Sequence, residues 1–408
     1  MRLRADVVHR TALERQSRGG GGAAYNAAMN TAAPARNTRV DLLRGVAIGT
    51  VLLLHFSLSY RLDDGPLAHL LPAGWIRAVV NNGNYGVTMF FAISGFLITA
   101  NSLRRYGRLG AVPVWEFYAY RFARIVPPLL LALALIVPLG LLGVPSFANA
   151  VDGHTLPPSF FGVAVLSVLT FWHNVLMQRE GYFNYALNIY WSLSVEEVFY
   201  LIFPLACLLL QRGAWVLCAA LILFAPLYRG WHSDAEIYFM YAYPACFDAI
   251  AFGCLAAMLA ERWQPGPVPA LLLRWAGAAT VAAAYLAGID GHERVGFSAV
   301  AAGTAVALLG VAAPASARRL GPSRGVAWLG RHSYELYLFH IVVLGLMREW
   351  LPRVAVRDIW KLPLLAAFVL LSALIAAGVA RGFADPLNVA LRRWLIPPRR
   401  AAGTDPAA

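Results

Sequence analysis

Arg44 and His55 stand eleven residues apart in an otherwise apolar run, Asp41-Leu-Leu-Arg44-Gly45 through His55-Phe56. At about 100° per residue this spacing is close to three helical turns, so the two side chains share one face about 16 Å apart. An imidazole with an ordinary pKa near ~6.5 suits removal of a proton from a hydroxyl at neutral pH. A guanidinium suits an anion. Taken singly, Arg44 reads as a side chain snorkelling to headgroups and His55 as a core histidine. Their common face is what points to chemistry.

A second cluster opens at Tyr190-Trp191-Ser192-Leu-Ser194-Val-Glu196-Glu197-Val-Phe-Tyr200. One carboxylate near a helix start gains from the macrodipole, but that does not account for two in succession. Further on come Ser333, Tyr334, Glu335, Tyr337 and His340 in one apolar segment, and Asp248 between Phe247 and Ala249. Ser94-Gly95 follows Phe90-Phe91, where small residues more often pack helices than react. Arg121 and Arg124 lie at i and i+3 on one face. Such a pair can take a phosphate in bidentate fashion, and the plain alternative is charge that sets membrane topology.

The elements that must position these groups are membrane helices. Of 408 residues, 59% are hydrophobic and 13% charged, roughly half the charge share of an ordinary soluble domain. A span needs roughly 20 apolar residues. Such runs occur at 40–60, 84–101, 120–143, 191–211, 213–228, 238–260, 268–288, 295–313, 326–348 and 362–384. The fold class is therefore all-α integral membrane, with about ten transmembrane helices. The apolar stretch 159–176 follows Pro157-Pro158 and is expected to be re-entrant or interfacial. If it crossed, Arg318, Arg319, Arg324 and the arginine-rich C-terminus would be carried outside, against the positive-inside rule. Ten crossings put both termini in the cytoplasm of a multi-pass protein of the inner (plasma) membrane. Ionisable residues within spans are expensive and mark function by default. Counted along the spans, His55, His340, Glu196 and Glu197 all fall about 21 Å from the cytoplasmic side, the level of one polar cavity.

Seven arginines lie among the first 40 residues, and residues 1–38 hold Gly19 to Gly22 in a row. With no apolar core segment this is not a signal peptide but a disordered cytoplasmic tail. Residues 386–408 form a basic cytoplasmic tail, and 39–385 the membrane domain. The net charge of +13 sits at tails and span ends, which argues against nucleic acid as a partner. Cys207, Cys218, Cys246 and Cys254 lie inside apolar runs without metal-ligand spacing, so no metal and no bound cofactor is expected.

These motifs resemble the acyltransferase family 3 membrane proteins over about residues 39 to 385. The likeness rests on Asp41-Leu-Leu-Arg44-Gly45 with His55, on Gly86-Val-Thr-Met-Phe90-Phe91-Ala-Ile-Ser94-Gly95-Phe96-Leu97, and on Arg121-x-x-Arg124. It continues in Trp191-Ser-Leu-Ser-Val-Glu196-Glu197-x-Phe-Tyr200 and Leu329-Gly-Arg-His-Ser333-Tyr334-x-Leu-Tyr337-Leu-Phe-His340. The resemblance implies acyl-CoA, usually acetyl-CoA, as cytoplasmic co-substrate and a hydroxyl-bearing glycan or lipid as acceptor. It implies Arg121 and Arg124 as donor-phosphate contacts, Arg44 as a donor or acceptor contact, and His55 as general base with Glu196 or Glu197 orienting it. Asp41, Ser94, Trp191, Ser192, Asp248, Tyr334 and His340 complete the expected substrate-binding set. Many members carry an added extracytoplasmic hydrolase-like domain, and this chain is expected to be the stand-alone type. A proton-coupled transporter or flippase, with His55, Glu196 and Glu197 as relay, is the competing reading. A non-catalytic protein binding a lipid-linked intermediate is a third, with the arginines as headgroup anchors.

Overall fold

Backbone amides in hydrocarbon have no water to bond, so long apolar runs close their hydrogen bonds within helices. The computed structural model describes residues 37–64, 72–312 and 323–396, and these are helical almost throughout. The terminal tail readings fall mostly on residues outside the described set, as do Arg318 and Arg319.

Helix α1 (Thr38–Tyr60) is followed by short α2 (Ala73–Val80), α3 (Asn84–Tyr106) and α4 (Val114–Leu141). Short α5 (Phe160–Leu169) and α6 (His173–Glu180) precede α7 (Trp191–Leu210) and α8 (Ala214–Trp231). Next come α9 (Glu236–Tyr241), α10 (Tyr243–Arg262), α11 (Pro267–Ala287) and α12 (Gly296–Ala312). The last four are α13 (Arg324–Arg331), α14 (Ser333–Trp350), α15 (Lys361–Val379) and α16 (Asp385–Leu395). Each of the ten predicted spans overlaps a helix of 17 to 28 residues, with 238–260 divided at Ala242 between α9 and α10 and 326–348 at His332 between α13 and α14. This is an all-α membrane protein.

Seven segments are long and apolar enough to cross a bilayer. One of them, Asn188–Trp231, has 44 residues, and a straight helix of that length would reach roughly 66 Å, twice a bilayer core. It is broken at Gln211, whose φ is 47°, into α7 and α8. Helix α12 has 17 residues, and α14 carries Glu335, Arg348 and Glu349. The stretch 159–176 is interrupted at Phe171 (φ 64°). The resulting α5, about 15 Å long by its rise, is too short to cross.

The outward side chains are what lipid requires. Leu209, Leu223, Leu272 and Trp275 are 81%, 71%, 64% and 69% exposed, a contiguous apolar exterior that water does not tolerate. Inside, small residues bring backbones together, as is usual where helices pack without a hydrophobic driving force. A Cβ on Gly95 would stand 2.0 Å from the Ile250 carbonyl oxygen, and one on Gly253 would stand 1.9 Å from that of Ala92. Helices α3 and α10 thus meet at reciprocal glycines. Gly45 against the Val326 carbonyl and Gly330 against that of Asp41 join α1 to α13 in the same way.

The connection from α4 to α7 folds over one end of the bundle. Ala150–Val151 and His154–Thr155 pair across an Asp152-Gly153 turn with both φ values positive, the twist a two-residue hairpin prefers. Asn184 ties this cap together by donating to the Phe147 carbonyl at 2.9 Å and to Asn149 Oδ1 at 2.7 Å. Phe147 is fully buried, and the Ser146 amide donates to Glu349 of α14 at 2.9 Å. A Gly253→Val substitution should force α3 and α10 apart at about 1–3 kcal/mol. Its readout is a lower thermal midpoint in detergent; an unchanged midpoint would contradict the close backbone contact.

Candidate active site

Helix geometry sets two polar stripes facing one another. On α1, Arg44 and His55 share a face; on α14, Ser333, Tyr337 and His340 fall at i, i+4 and i+7. The stripes meet at both ends. Arg44 donates to Ser333 Oγ from Nε at 3.1 Å and from Nη2 at 2.8 Å. The His55 and His340 rings lie 5.0 Å apart, with His340 Nε2 3.3 Å from His55 Nδ1.

The histidine protons can be assigned from their partners. His55 Nδ1 is 3.0 Å from the Val51 carbonyl oxygen, and His340 Nδ1 is 3.0 Å from that of Leu336. A carbonyl only accepts, so both Nδ1 atoms carry hydrogen. His340 Nε2 is then an acceptor turned towards His55 Nδ1–H. The lone pair of neutral His55 stands on Nε2, which has no hydrogen-bond partner among the described residues. His55 is partly exposed, whereas His340 is buried.

The expected carboxylate beside His55 is replaced by His340. No hydrogen bond or ion pair joins His55 to Glu196 or Glu197 among the described residues. The carboxylates turn instead to Arg121, whose Nη2 lies 3.2 Å from Glu197 Oε1 and 3.8 Å from Glu196 Oε1. Its guanidinium stacks 3.1 Å from the Tyr200 ring centroid. Ser94 and Tyr200 both donate to Glu196, and their hydroxyls touch each other. The span read from the sequence began at residue 120, which put Arg121 at its very start. The aromatic run Val114-Trp-Glu-Phe-Tyr-Ala-Tyr is already helical, so Arg121 sits seven residues, or about 10 Å, inside α4.

The two clusters adjoin through α7, where Ser192, Glu196 and Tyr200 form an i, i+4, i+8 stripe. Ser192 Oγ meets the Tyr337 hydroxyl at 2.6 Å, and the Tyr337 ring is 5.9 Å from that of His340. Tyr334 donates to the Ile125 carbonyl at 2.9 Å, holding α14 against α4 one turn beyond Arg121. Asp41 is buried in the first turn of α1. Arg124, three residues on from Arg121, is exposed.

Asp248 and Trp191 lie elsewhere. Asp248 Oδ2 receives Arg229 Nη2 at 2.9 Å and Ser298 Oγ at 2.6 Å. Arg229 is fully buried and also donates to the Ala245 and Arg294 carbonyls. The pair crosslinks α8 and α10, with Ser298 adding α12. Trp191 packs 4.4 Å from Tyr241, centroid to centroid, and lines a small cavity with Phe91, Met240, Asp248 and Phe297. Arg229 was missed because an arginine at the end of an apolar run reads as a snorkelling one. Ser333, Tyr337 and Tyr200 lay inside the quoted motifs, but no spacing singled them out. Among the described residues no group of His, Cys, Asp and Glu could hold a metal ion, and all four cysteines are free.

Fold and site together define an all-α membrane protein with ionisable groups gathered among its helices. The chain belongs to the acyltransferase domain family, which matches residues 37–381. It is 30% identical over 145 residues to the O-acetyltransferase OatA of Staphylococcus aureus, covering 35% of this chain and 22% of that protein. Against the peptidoglycan O-acetyltransferase OatA of Listeria monocytogenes it is 24% identical over 359 residues, covering 81% of this chain and 53% of that protein. The chain thus matches about half the length of the Listeria relative. No solved structure matches it.

Breaking a buried ion pair strands a charge, whereas removing both partners need not destabilise. Asp248→Leu should therefore cost about 3–5 kcal/mol, and Arg229→Met/Asp248→Leu should recover most of the lost thermal midpoint. A double variant less stable than the single one would refute a purely structural pair.

Proposed function

We propose that the protein transfers an acyl group, acetyl foremost, from acyl-CoA to a hydroxyl of a cell-envelope glycan, with His55 as general base. Peptidoglycan, the acceptor in the Listeria relative's name, is the first candidate. The observation that carries this reading is the placement of His55, with Nδ1 3.0 Å from the Val51 carbonyl oxygen and 3.3 Å from His340 Nε2. Its Nδ1–H is committed to Val51 and His340, and its unpartnered Nε2 keeps the lone pair a base requires. The hydroxyl oxygen bonds to the acyl carbon as its proton passes to Nε2. The carbon–sulfur bond breaks, and the proton returns from His55 to the departing thiolate. As His55 becomes imidazolium, its Nδ1–H strengthens towards His340 Nε2. His340 is thereby a positioning residue in the place a carboxylate holds in the serine-protease triad.

Arg44, fixed by Ser333 on the face of α1 that carries His55, contributes positive charge near a thioester oxygen or an acceptor anion. The Arg121–Glu196–Glu197 cluster holds α4 and α7 in place one turn from Ser192 and Tyr337. Residues 39–385 would form the membrane domain in the plasma membrane, with both tails cytoplasmic.

Free CoA release by the purified protein, with and without crude envelope glycan, tests this. Glycan-dependent release should fall by about 10²–10⁴-fold in His55→Gln, with an unchanged thermal midpoint. His340→Gln, which keeps an acceptor near the Nε2 position, should retain more activity than His340→Leu. Undiminished release by His55→Gln would eliminate the base assignment. No release from folded wild-type protein with acetyl-, propionyl- or succinyl-CoA would favour the transport reading.

A further inference from the structure

Most of the membrane-embedded positive charge described so far is compensated: Arg121 by two glutamates and Arg229 by Asp248. A different arrangement occurs where the end of α3, the first turns of α4 and the last turn of α16 converge on Tyr120. Arg105 donates to the Tyr120 hydroxyl at 2.7 Å, and its guanidinium lies 4.1 Å from the ring centroid. Arg392 of α16 reaches the same ring at 5.0 Å. Arg124 is one turn beyond Tyr120 on the same face of α4, and Arg124 and Arg105 are the charged groups acting on Arg392. Trp115 Nε1 donates to the Leu395 carbonyl at 3.0 Å, holding the end of α16 against α4.

Among the described residues none of these three arginines forms an ion pair. Arg392 Nε is moreover buried without a hydrogen-bond partner. Two like charges on one ring, with Arg124 acting on Arg392 as a third, repel, and an unmet buried donor adds a desolvation cost. Charge that only sets topology needs no such convergence, since it can spread over the membrane face. An anion with several oxygens would offset both costs, and planar guanidinium groups fit phosphate oxygens two at a time. Arg392 also lies beyond the residues 37–381 that the family match covers.

We propose that Arg105 and Arg392 on the Tyr120 ring, with Arg124 one turn along α4, form a phosphate-binding site for the diphosphate and 3′-phosphate of acyl-CoA. The identity of this ligand rests on acyl-CoA being the donor. Arg121, already held by its carboxylates, is not part of the site. Arg124 is the member of the Arg121-x-x-Arg124 pair that meets phosphate. Helix α16 becomes a functional wall of the donor entrance.

The test is equilibrium binding to the full-length protein in uncharged detergent, with coenzyme A as probe and dephospho-coenzyme A and inorganic diphosphate as competitors. Arg105→Gln changes an exposed side chain, and Arg392→Gln a partly buried one, so the two variants separate binding from folding. Wild type should bind coenzyme A better than the dephospho form, with diphosphate displacing it. Each variant should bind about tenfold more weakly, the scale of one charge-assisted hydrogen bond. The alternative phosphate source is a lipid headgroup, read from phosphatidylglycerol retained through extraction. If wild type binds no coenzyme A but both variants lose retained lipid, the phosphate site stands with a headgroup as ligand and the acyl-CoA reading fails. Coenzyme A binding and lipid retention unchanged in both variants would overturn the site, and intact acyl-CoA turnover alongside would leave the donor reading standing.

Discussion

A charge surrounded by hydrocarbon must find its counter-charge within the protein, and the helices here are arranged around that demand. Arg121 cannot be satisfied by α4 itself, so α7 must present Glu196 and Glu197 at its level. Arg229 on α8 requires Asp248 on α10, with Ser298 on α12 completing the carboxylate's bonds. Such pairs gain little net stability over apolar packing, because desolvation offsets the Coulomb attraction. What they do supply is depth. A helix sliding by one turn, about 5.4 Å, would strand a charge in lipid, whereas an apolar contact would merely re-form.

With depths fixed, the small residues decide which faces touch. Gly95 and Gly253 let α3 and α10 approach until side-chain volume is excluded, and Ser94, next to Gly95, is carried to Glu196. Gly45 and Gly330 do the same for α1 and α13, and α14 then continues with Ser333, Tyr337 and His340 along the Arg44–His55 face. The helix-packing role of these small residues and the chemistry of their polar neighbours are thus one arrangement. The cap between α4 and α7 closes over it, with Tyr185 meeting Ser59 of α1 at 2.9 Å and Arg348 of α14 lying 4.3 Å from the Tyr185 ring.

Arginine has three different physical situations in this protein. Arg121 and Arg229 are neutralised by carboxylates, Arg44 is hydrogen-bonded beside the proposed base, and Arg105, Arg124 and Arg392 form no ion pair among the described residues. Composition treats these residues alike. Their distinction is a matter of neighbours, and it separates groups that hold helices from those proposed to hold an anion.

The membrane class, the helical architecture and the positions of the long helices were legible in the sequence, because a bilayer imposes length and apolarity on each span independently of its neighbours. The shared face of Arg44 with His55 was equally fixed by helical period, whereas the stripe of Ser333, Tyr337 and His340 was recognised only once α14 was seen against α1. Charge balance in the loops pointed to a re-entrant or interfacial 159–176, while its break at Phe171 appeared only in the structure. Which polar group meets which was decided only by the tertiary structure. Counting residues from assumed span ends put Glu196 and Glu197 level with His55 and left Arg121 at the start of its span. The actual start of α4 at Val114 moved Arg121 inward to the glutamates and left His340 as the partner of His55. Arg229 was invisible because an arginine near a helix end has water or lipid headgroups as ready partners, unless neighbouring helices shut it off from both. Tilt, offset and helix order between distant segments settle such matters, and none of these is a property of local periodicity.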